Sequence, residues 1–444
     1  MSDTSQTIIQ RFRTTYGKDI DLTLRPAYHD LLEKLGNPQR RLPPVFHVAG
    51  TNGKGSTCAF MRAMLEAAGY KVHVYTSPHL VAFHERIRVA GQIIGEEELL
   101  GLLVEAEKLA IPCGVSYFEA ATAVAFAAFA RHKADYTILE TGLGGRLDAT
   151  NIIEKPLATI ITRLSYDHRE YLGDTIDKIA REKAGIMRAS VPCFTAPQPD
   201  PLALQTLREA AKTIQAPLFI GGIDWKAEGR DGGFRFMDAK RDWDLPPPAL
   251  LGQHQYQNAG LAIAALSALP SPLPQSAIVE GLRNVEWLAR LQRLTTGPLV
   301  SLAPKGAEVW LDGGHNDSAG EVLATQIDLW RKEDGKTPKP LYVVVGMLTT
   351  KHPAEFLSPF AKYIAQVRTV PVPHEPLGFS AQALAHEAQK IGLSSAVATE
   401  NVAEALSDLA KHTSFPSPRI LICGSLYLAG AVLEQQNGSA YAAT

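Results

Sequence analysis

The chain predicts an α/β protein with mostly parallel sheets, and three observations carry the prediction. Short apolar runs of strand length alternate with longer helical stretches along most of the 444 residues. One of these runs, Val45–Ala49, passes into a glycine-rich turn from Gly50 to Gly55 and then an Ala/Met/Leu-rich helix from about Ser56 to Ala68. Strand, glycine loop and helix N-terminus make a phosphate cradle: backbone N–H groups converge on an anion, the helix dipole favours it, and Lys54 adds a positive charge. Finally, the alternation restarts after residues 286–298, so a second, smaller α/β domain is expected to follow the first.

In the first series the predicted strands are Val45–Ala49, Val72–Thr76, Tyr136–Glu140, Ala158–Thr162, Pro192–Thr195 and Leu218–Ile220. Helices are predicted over Glu96–Ala110, Phe118–Arg131 and Thr175–Met187. The glycine- and tryptophan-containing stretch Gly221–Pro248 reads as a small β excursion, followed by helices over Tyr256–Leu269 and Gln275–Asn284. Strands of the second series are Glu308–Leu311, Leu341–Val345, Val367–Pro371, Ala396–Ala398 and Arg419–Ile422. Ligands of open parallel sheets sit beyond the strand C-termini, and a cleft between the two domains is the expected active site.

Bulk properties narrow the class. A formal net charge of -2 gives no electrostatic reason to expect nucleic acid or an anionic membrane as partner. Cys58, Cys113, Cys193 and Cys423 are scattered without a C-x-x-C pair, which suggests neither a disulfide framework nor a zinc site and suits a reducing cytoplasm. Met1 to Gln10 is polar and lacks a signal-peptide core, and the apolar runs near 120–130 and 259–269 are too short to span a bilayer. The expectation is a cytoplasmic enzyme, monomeric, acting on small molecules.

The phosphate loop departs from the common P-loop pattern. Gly55 follows the lysine where Ser or Thr is usual, Ser56 comes one place late, and Val48 occupies the upstream glycine position. Other polar clusters fall at predicted strand ends: Thr76-Ser77-Pro78-His79-Leu80, with Glu85-Arg86-Ile87 in a long loop beyond it; Glu140 to Asn151; Asp167-His168; and Arg181 to Ile186 on a helix. Glu140 ends a strand in the way P-loop proteins bring a carboxylate to metal. Gly-Leu-Gly-Gly-Arg-Leu is no dinucleotide fingerprint, because Leu147 stands where a third glycine is needed. Taken singly, a histidine placed like His168 is more often a capped loop residue than a ligand, a lysine placed like Lys183 is ordinarily a solvated helix residue, and Glu140 can be read as a strand-end cap.

Together these stretches resemble a known family. Runs 47–56, 75–80, 85–87, 139–151, 167–168 and 181–186, followed by Gly252 to Ala259, Ala289 to Gln292, Leu311 to Asn316 and Gly424 to Tyr427, look like folylpolyglutamate synthase. The resemblance includes the bifunctional form with dihydrofolate synthase activity, within the Mur ligase superfamily. It implies a P-loop Mur-ligase-type ATP-binding domain over residues 1–290 and a smaller Rossmann-like domain of glutamate-ligase C-terminal type over 291–444. The activity implied is ATP-dependent ligation of L-glutamate to dihydropteroate and to the glutamate tail of tetrahydrofolates, through an acyl phosphate. By the same resemblance Thr51, Asn52, Gly53, Lys54, Gly55 and Ser56 hold the phosphates of ATP, with Asn258, Arg290, Asp312 and His315 completing the nucleotide site. Ser77, Glu140 and His168 are the implied magnesium ligands, although a histidine is unusual for that hard cation. Lys54, Lys183 and His168 are the implied catalytic residues. Lys183 matches a lysine that relatives carry as a carbamate, and a monovalent cation is a further option. Ser116, Tyr117, Phe118, Glu119, Leu147, Asp148 and Ala149 match the pterin-contacting segments, where an aromatic ring suits stacking and a carboxylate can accept from the pterin N–H groups. Ordinary packing at a helix start is the competing reading of Phe118.

Three departures from the family pattern stand out: Ala289 for a glycine, Gly314 for an alanine, and Thr350-Lys351-His352 where relatives carry Asp-Lys-Asp near the presumed glutamate region. The alternatives are a monofunctional folylpolyglutamate synthase, a Mur ligase using a UDP-linked substrate, and a P-loop nucleotide switch. The Glu140–Asn151 run and the Ser-Pro-His-Leu loop argue against the second, and the second α/β domain leaves the third incomplete.

Overall fold

The computed structural model describes residues 4–15, 26–413 and 415–437. They fall into two compact units, Met1–Ala249 with Gln255–Glu286, and Leu250–His254 with Trp287–Thr444.

The first unit is built on eight strands: β1 (Val45–Ala49), β2 (Val72–Tyr75), β3 (Ile87–Val89), β4 (Gln92–Ile93), β5 (Tyr136–Glu140), β6 (Ala158–Ile161), β7 (Cys193–Thr195) and β8 (Leu218–Ile220). Their order is β4-β3-β2-β5-β1-β6-β7-β8. Every pairing is parallel except those of β3 with β2 and with β4. The central strand β1 is buried at all five positions, as expected where helices cover a parallel sheet. After β1 the chain crosses to β2 on one side, and after β5 it crosses to β6 on the other, so the topology switches direction at β1. That is where open α/β sheets leave a crevice beyond their strand ends. The register opposes Val48 to Glu140 and Ala49 to Ile161, which levels Gly50, Thr141 and Thr162 along one edge. Thr141 N–H donates to Val48 O and Thr162 N–H to Ala49 O, both at 2.9 Å.

The helix Lys54–Ala67 buries Phe60, Met61 and Met64. It lies so close to the helix Gln275–Asn284 that a Cβ at Gly281 would stand 2.7 Å from the Met64 backbone. Helices Glu96–Cys113 and Tyr117–Arg131 share a core with β2 and β5 residues through Leu99, Phe126 and Leu139. The predicted β excursion is an antiparallel meander, β9 (Trp225–Arg230), β10 (Gly233–Asp238) and β11 (Asp242–Leu245).

The second unit carries β12 (Gln292–Leu294), β13 (Glu308–Leu311), β14 (Leu341–Val345), β15 (Ile364–Thr369), β16 (Ala396–Ala398) and β17 (Arg419–Cys423). Their order is β12-β13-β17-β14-β15-β16, parallel apart from β12. The last strand inserts between β13 and β14, a Rossmann-like arrangement.

The structure corrects the sequence reading at the sheet edges. Glu85 and Arg86 close a 3-10 turn, Phe83–Arg86, and Ile87 opens β3, where a long loop was expected. β3, β4 and β12, two or three residues long, pair antiparallel and carry Arg or Gln, so no unbroken apolar run marks them. Helices Ser5–Thr15 and Pro26–Lys34 also lay outside the predicted elements. Among the described residues no helix is long and apolar enough to cross a membrane.

Candidate active site

The loop after β1 can be built only with glycine at two points. Gly50 has φ 147°, and a Cβ there would stand 1.9 Å from Thr162 Oγ1; Gly53 has φ 90°, and its Cβ would stand 2.4 Å from Asn258 Oδ1. Between them the loop is pinned to the segment after β6. Thr51 and Asn52 N–H both donate to Arg163 O, at 3.1 and 3.2 Å. The Thr51 hydroxyl donates to Ser165 O at 3.1 Å and accepts from Ser165 N–H at 3.2 Å. No side chain caps the helix that starts at Lys54, so its first N–H groups point at the loop with the positive end of the dipole behind them. Gly55 and Ser56 are buried in its first turn. Lys54 folds back, its Nζ donating to Gly50 O at 3.1 Å and Thr51 O at 3.4 Å. Asn258, which stands against Gly53, donates its amide to Gln255 Oε1 at 2.9 Å.

Lys183 is the larger surprise. A charged residue in Arg-Glu-Lys-Ala reads as solvated, yet it is 4% exposed and donates to the same Gly50 carbonyl at 2.9 Å. Burial, and then the neighbouring Lys54 charge, lower its pKa from 10.5 to about 7. The helix that carries it, Ile176–Ala184, is held by the Gly142–Gly145 loop. Arg146 N–H donates to Glu182 O at 2.7 Å, and a Cβ at Gly145 would meet Glu182 O at 2.7 Å and the Lys183 backbone at 3.0 Å. From the other side a Cβ at Gly185 would meet that of Arg146 at 2.3 Å. The glycines of this run thus serve close packing of loop on helix.

Ser77 lies just beyond β2, and Glu140 ends the adjacent β5, with Tyr75 opposite Leu139. The Ser77 hydroxyl is buried and has no hydrogen-bond partner, and Glu140 is 4% exposed. A hydroxyl oxygen lacking a partner beside a buried carboxylate fits a hard divalent cation, which prefers oxygen ligands and keeps phosphate and water for its remaining positions. Among the described residues no three His, Cys, Asp or Glu side chains converge. His168 follows β6 with left-handed backbone, φ 50° and ψ 41°, and Asp167 holds it there: its Oδ1 accepts the His168 N–H at 2.9 Å and lies 3.9 Å from Nε2.

The residues matched to pterin contacts line one corner of this edge. Asp148 is fully engaged: Oδ2 accepts from Gly142 N–H and Leu143 N–H at 2.8 and 3.0 Å, and Oδ1 from Thr150 N–H at 2.9 Å and the Thr150 hydroxyl at 2.5 Å. Burial nonetheless raises its pKa. Ala149 O accepts from the Tyr28 hydroxyl at 3.1 Å, while Leu147 stays half-buried. Ser116 and Glu119 form a capping box: Ser116 N–H donates to Glu119 Oε2 at 2.6 Å and Glu119 N–H to Ser116 Oγ at 3.2 Å. This carboxylate is therefore occupied by the helix start. Phe118 closes on the loop, its ring filling the place where a Cβ at Gly142 would come within 2.4 Å. Tyr117 Oη is buried without a partner.

In the second unit the pairing of β12 with β13 opposes Gln292 to Leu311, which brings Arg290 and Asp312 together across a long stretch of chain. Asp312 Oδ2 accepts from Leu291 N–H at 2.8 Å and Oδ1 from Gly314 N–H at 2.7 Å. Burial raises its pKa, and the Arg290 charge opposes the rise. Arg290 donates to Ala289 O at 2.9 Å, and His315 Nδ1 is 3.0 Å from Gly313 O. Two departures from the family pattern gain a physical setting. Ala289 has φ 54°, a backbone that favours glycine, and a Cβ at Gly314 would lie 2.8 Å from Asp312 Oδ1 and 2.9 Å from Ala319 Cβ. His352, from the third departure, precedes the short helix Pro353–Leu357 as its N-cap.

Sequence reasoning missed several positioning residues. Glu85 accepts from three successive backbone N–H groups, Leu80 at 2.7 Å and Val81 and Ala82 at 2.8 Å, which folds the loop that carries Ser77. His47 Nε2 lies 2.8 Å from Thr150 Oγ1, and burial lowers its pKa to about 3. Thr162 and Ser165 shape the phosphate loop from β6. His47, Glu85 and Thr150 register in the sequence only as members of longer runs, without a role, and Thr162 and Ser165 are ordinary polar residues at the end of or just after a strand.

Comparison with known proteins gives matches over both units. Residues 48–266 match the Mur ligase middle domain and residues 298–435 the C-terminal domain of dihydrofolate synthetase. The chain is similar to the dihydrofolate synthase/folylpolyglutamate synthase of Escherichia coli, 34% identical over 88% of this chain and 86% of the relative. Its fold is similar to that of E. coli FolC in complex with DHPP and ADP, with TM-score 0.86, 32% identity, and 98% and 97% of the two chains covered. The bifunctional enzyme from Yersinia pestis complexed with AMPPNP and a Mn ion is also similar, with TM-score 0.83, 30% identity, and 97% and 98% covered.

Proposed function

The chain belongs to the dihydrofolate synthase/folylpolyglutamate synthase family, and from that premise we propose that it ligates L-glutamate to dihydropteroate and to the glutamate tail of tetrahydrofolates at the expense of ATP. The observation that carries the proposal is the convergence on one sheet edge of the Gly50–Lys54 loop, the buried Lys183, the Ser77 hydroxyl and Glu140.

A carboxylate is a poor electrophile, so the acid must first take the terminal phosphoryl group of ATP and become an acyl phosphate. The amine of glutamate then attacks the carbonyl carbon, and phosphate leaves. Thr51 to Ser56 cradle the polyphosphate on backbone N–H groups, and Lys54 leaves its carbonyl contacts to reach the terminal phosphates. Ser77, Glu140 and His168 would hold a divalent ion, which supplies charge neutralisation at the phosphates. Asn258, Arg290, Asp312 and His315 take the nucleotide, in a division of labour between an ATP-binding part over 1–290 and a glutamate-ligase part over 291–444. Phe118, Tyr117, Leu147 and Ala149 receive the pterin-bearing acid, while Asp148, Ser116 and Glu119 set the shape of that pocket through the bonds they already make. Lys183 is the site of a carbamate: an amine with a pKa of about 7 has a substantial neutral fraction at physiological pH, and that neutral form can add CO2 and release a proton, giving an anion able to meet metal. The enzyme works as a cytoplasmic monomer on small molecules alone.

The test is turnover. With ATP, magnesium, glutamate and dihydropteroate, ADP and dihydrofolate form in equal amounts, and with tetrahydrofolate replacing dihydropteroate a longer glutamate tail forms. ATP hydrolysis that ignores both organic substrates would overturn the proposal, and activity with tetrahydrofolate alone would reduce it to the monofunctional enzyme.

A further inference from the structure

A second charged cluster lies on the same unit. The Arg86 side chain is 6% exposed, and its one hydrogen bond among the described residues runs from Nε to His79 Nδ1 at 2.8 Å. Because that nitrogen accepts, the contact brings no counter-charge. The guanidinium otherwise faces aromatic rings, 5.6 Å from the Phe83 centroid and 5.9 Å from that of Tyr117. Arg13, half-buried, lies 5.4 Å from the Tyr117 centroid, so two guanidiniums flank one phenol whose buried hydroxyl has no partner.

Among the described residues, the carboxylates of the neighbouring segments are committed elsewhere. Glu85 is held by three backbone N–H groups, Glu119 by Ser116, Asp148 by Gly142, Leu143 and Thr150, and Glu96 by His84 and Ser5. A buried guanidinium without a carboxylate costs several kcal/mol of desolvation unless something anionic pairs with it. Its planar fork suits a carboxylate in particular. In the chain Tyr117 directly precedes Phe118, and His79 comes two residues after Ser77.

We propose that Arg86 and Arg13, with the Tyr117 hydroxyl between them, form a subsite for the α-carboxylate of a glutamyl tail on the acid substrate. The inference rests on the function proposed above and deepens it. Of the two acids, only the tailed folate carries that extra carboxylate, so the cluster sets the preference between chain extension and dihydrofolate synthesis.

The experiment compares kcat/KM for tetrahydrofolate with that for dihydropteroate in the wild type and in Arg13→Gln and Arg86→Gln, with thermal unfolding as the check on folding. The expected result is a fall of at least tenfold in the tetrahydrofolate-to-dihydropteroate ratio, mostly through KM for tetrahydrofolate. An unchanged ratio in folded variants overturns the proposal. So does a matching rise in KM for free glutamate in both reactions, which would assign the cluster to the incoming amino acid. If Arg86→Gln does not fold, the half-buried Arg13→Gln decides alone. A wild type inactive with both acids would instead refute the proposed function, a separate outcome.

Discussion

Lys54 and Lys183 share one acceptor, the Gly50 carbonyl, at 3.1 and 2.9 Å. Two ammonium groups on one oxygen repel each other, and the buried one yields: Lys183 falls to about pKa 7 while burial contributes the larger part. Below pH 7 both the folded and the unfolded chain carry this proton, so the full penalty of burying a cation is present. Between about pH 7 and 10.5 the folded state has lost the proton and the unfolded state keeps it, so stability owed to this residue rises with pH. Lys183→Met is therefore expected to stabilise the apo protein by roughly 2–4 kcal/mol at pH 6 and by less at pH 9. Urea unfolding in bicarbonate-free buffer measures it, and an equal gain at both pH values would contradict the assignment.

The proposed carbamate makes a second use of the same residue. Lys183→Ala leaves a space beside Gly50 and removes the group that CO2 would modify. Ligase activity is expected to fall by about a hundredfold or more, roughly 2.7 kcal/mol in barrier, and to return in part with formate or acetate. Full activity in Lys183→Ala without added short carboxylates would refute the modification.

Gly50 and Thr162 are coupled through space. The glycine has φ 147° and its missing Cβ would lie 1.9 Å from the threonine hydroxyl oxygen. Gly50→Ala is expected to destabilise by roughly 2–4 kcal/mol, from backbone strain and overlap together. Thr162→Ala in the same chain removes the closest of the overlaps, while Thr162 Cβ at 2.9 Å, its backbone N at 3.0 Å and the strain remain, so about 1 kcal/mol should return. Additive effects in the double-mutant cycle would show that Thr162 plays no part.

How much of this was legible in the sequence depends on where the information lies. β1, β5, β8, β13, β14 and β16 match the expected bounds: β1 and β14 are buried at every position and β5 at all but its first, so each reads as an apolar run between polar turns, while the partly exposed β8, β13 and β16 are apolar stretches bounded by turn residues. The short strands β3, β4 and β12 had no such run, and their pairing partners define them. The phosphate loop, Ser77 and Glu140 were visible as polar clusters at strand ends. The burial of Lys183 was not, because Arg181, Glu182 and Lys183 look alike in sequence, and only helix phase against the Gly142–Gly145 loop turns one of them inward. Glu85 was quoted without a role, since a carboxylate binding three backbone N–H groups leaves no local pattern.

Ser77 separates stability from activity. Its hydroxyl is buried with no partner, so removing it takes away no hydrogen bond, and Ser77→Ala should unfold within about 0.5 kcal/mol of the parent or above it. If that oxygen exists to meet a divalent ion, the ion should bind less well: affinity for Mn2+ in the presence of a non-hydrolysable ATP analogue is expected to weaken about tenfold, roughly 1.4 kcal/mol. Titration calorimetry reads this without turnover. Unchanged Mn2+ affinity would remove Ser77 from the metal site, and a large loss of stability would mean the hydroxyl holds the loop together in some way its lack of a hydrogen-bond partner does not suggest.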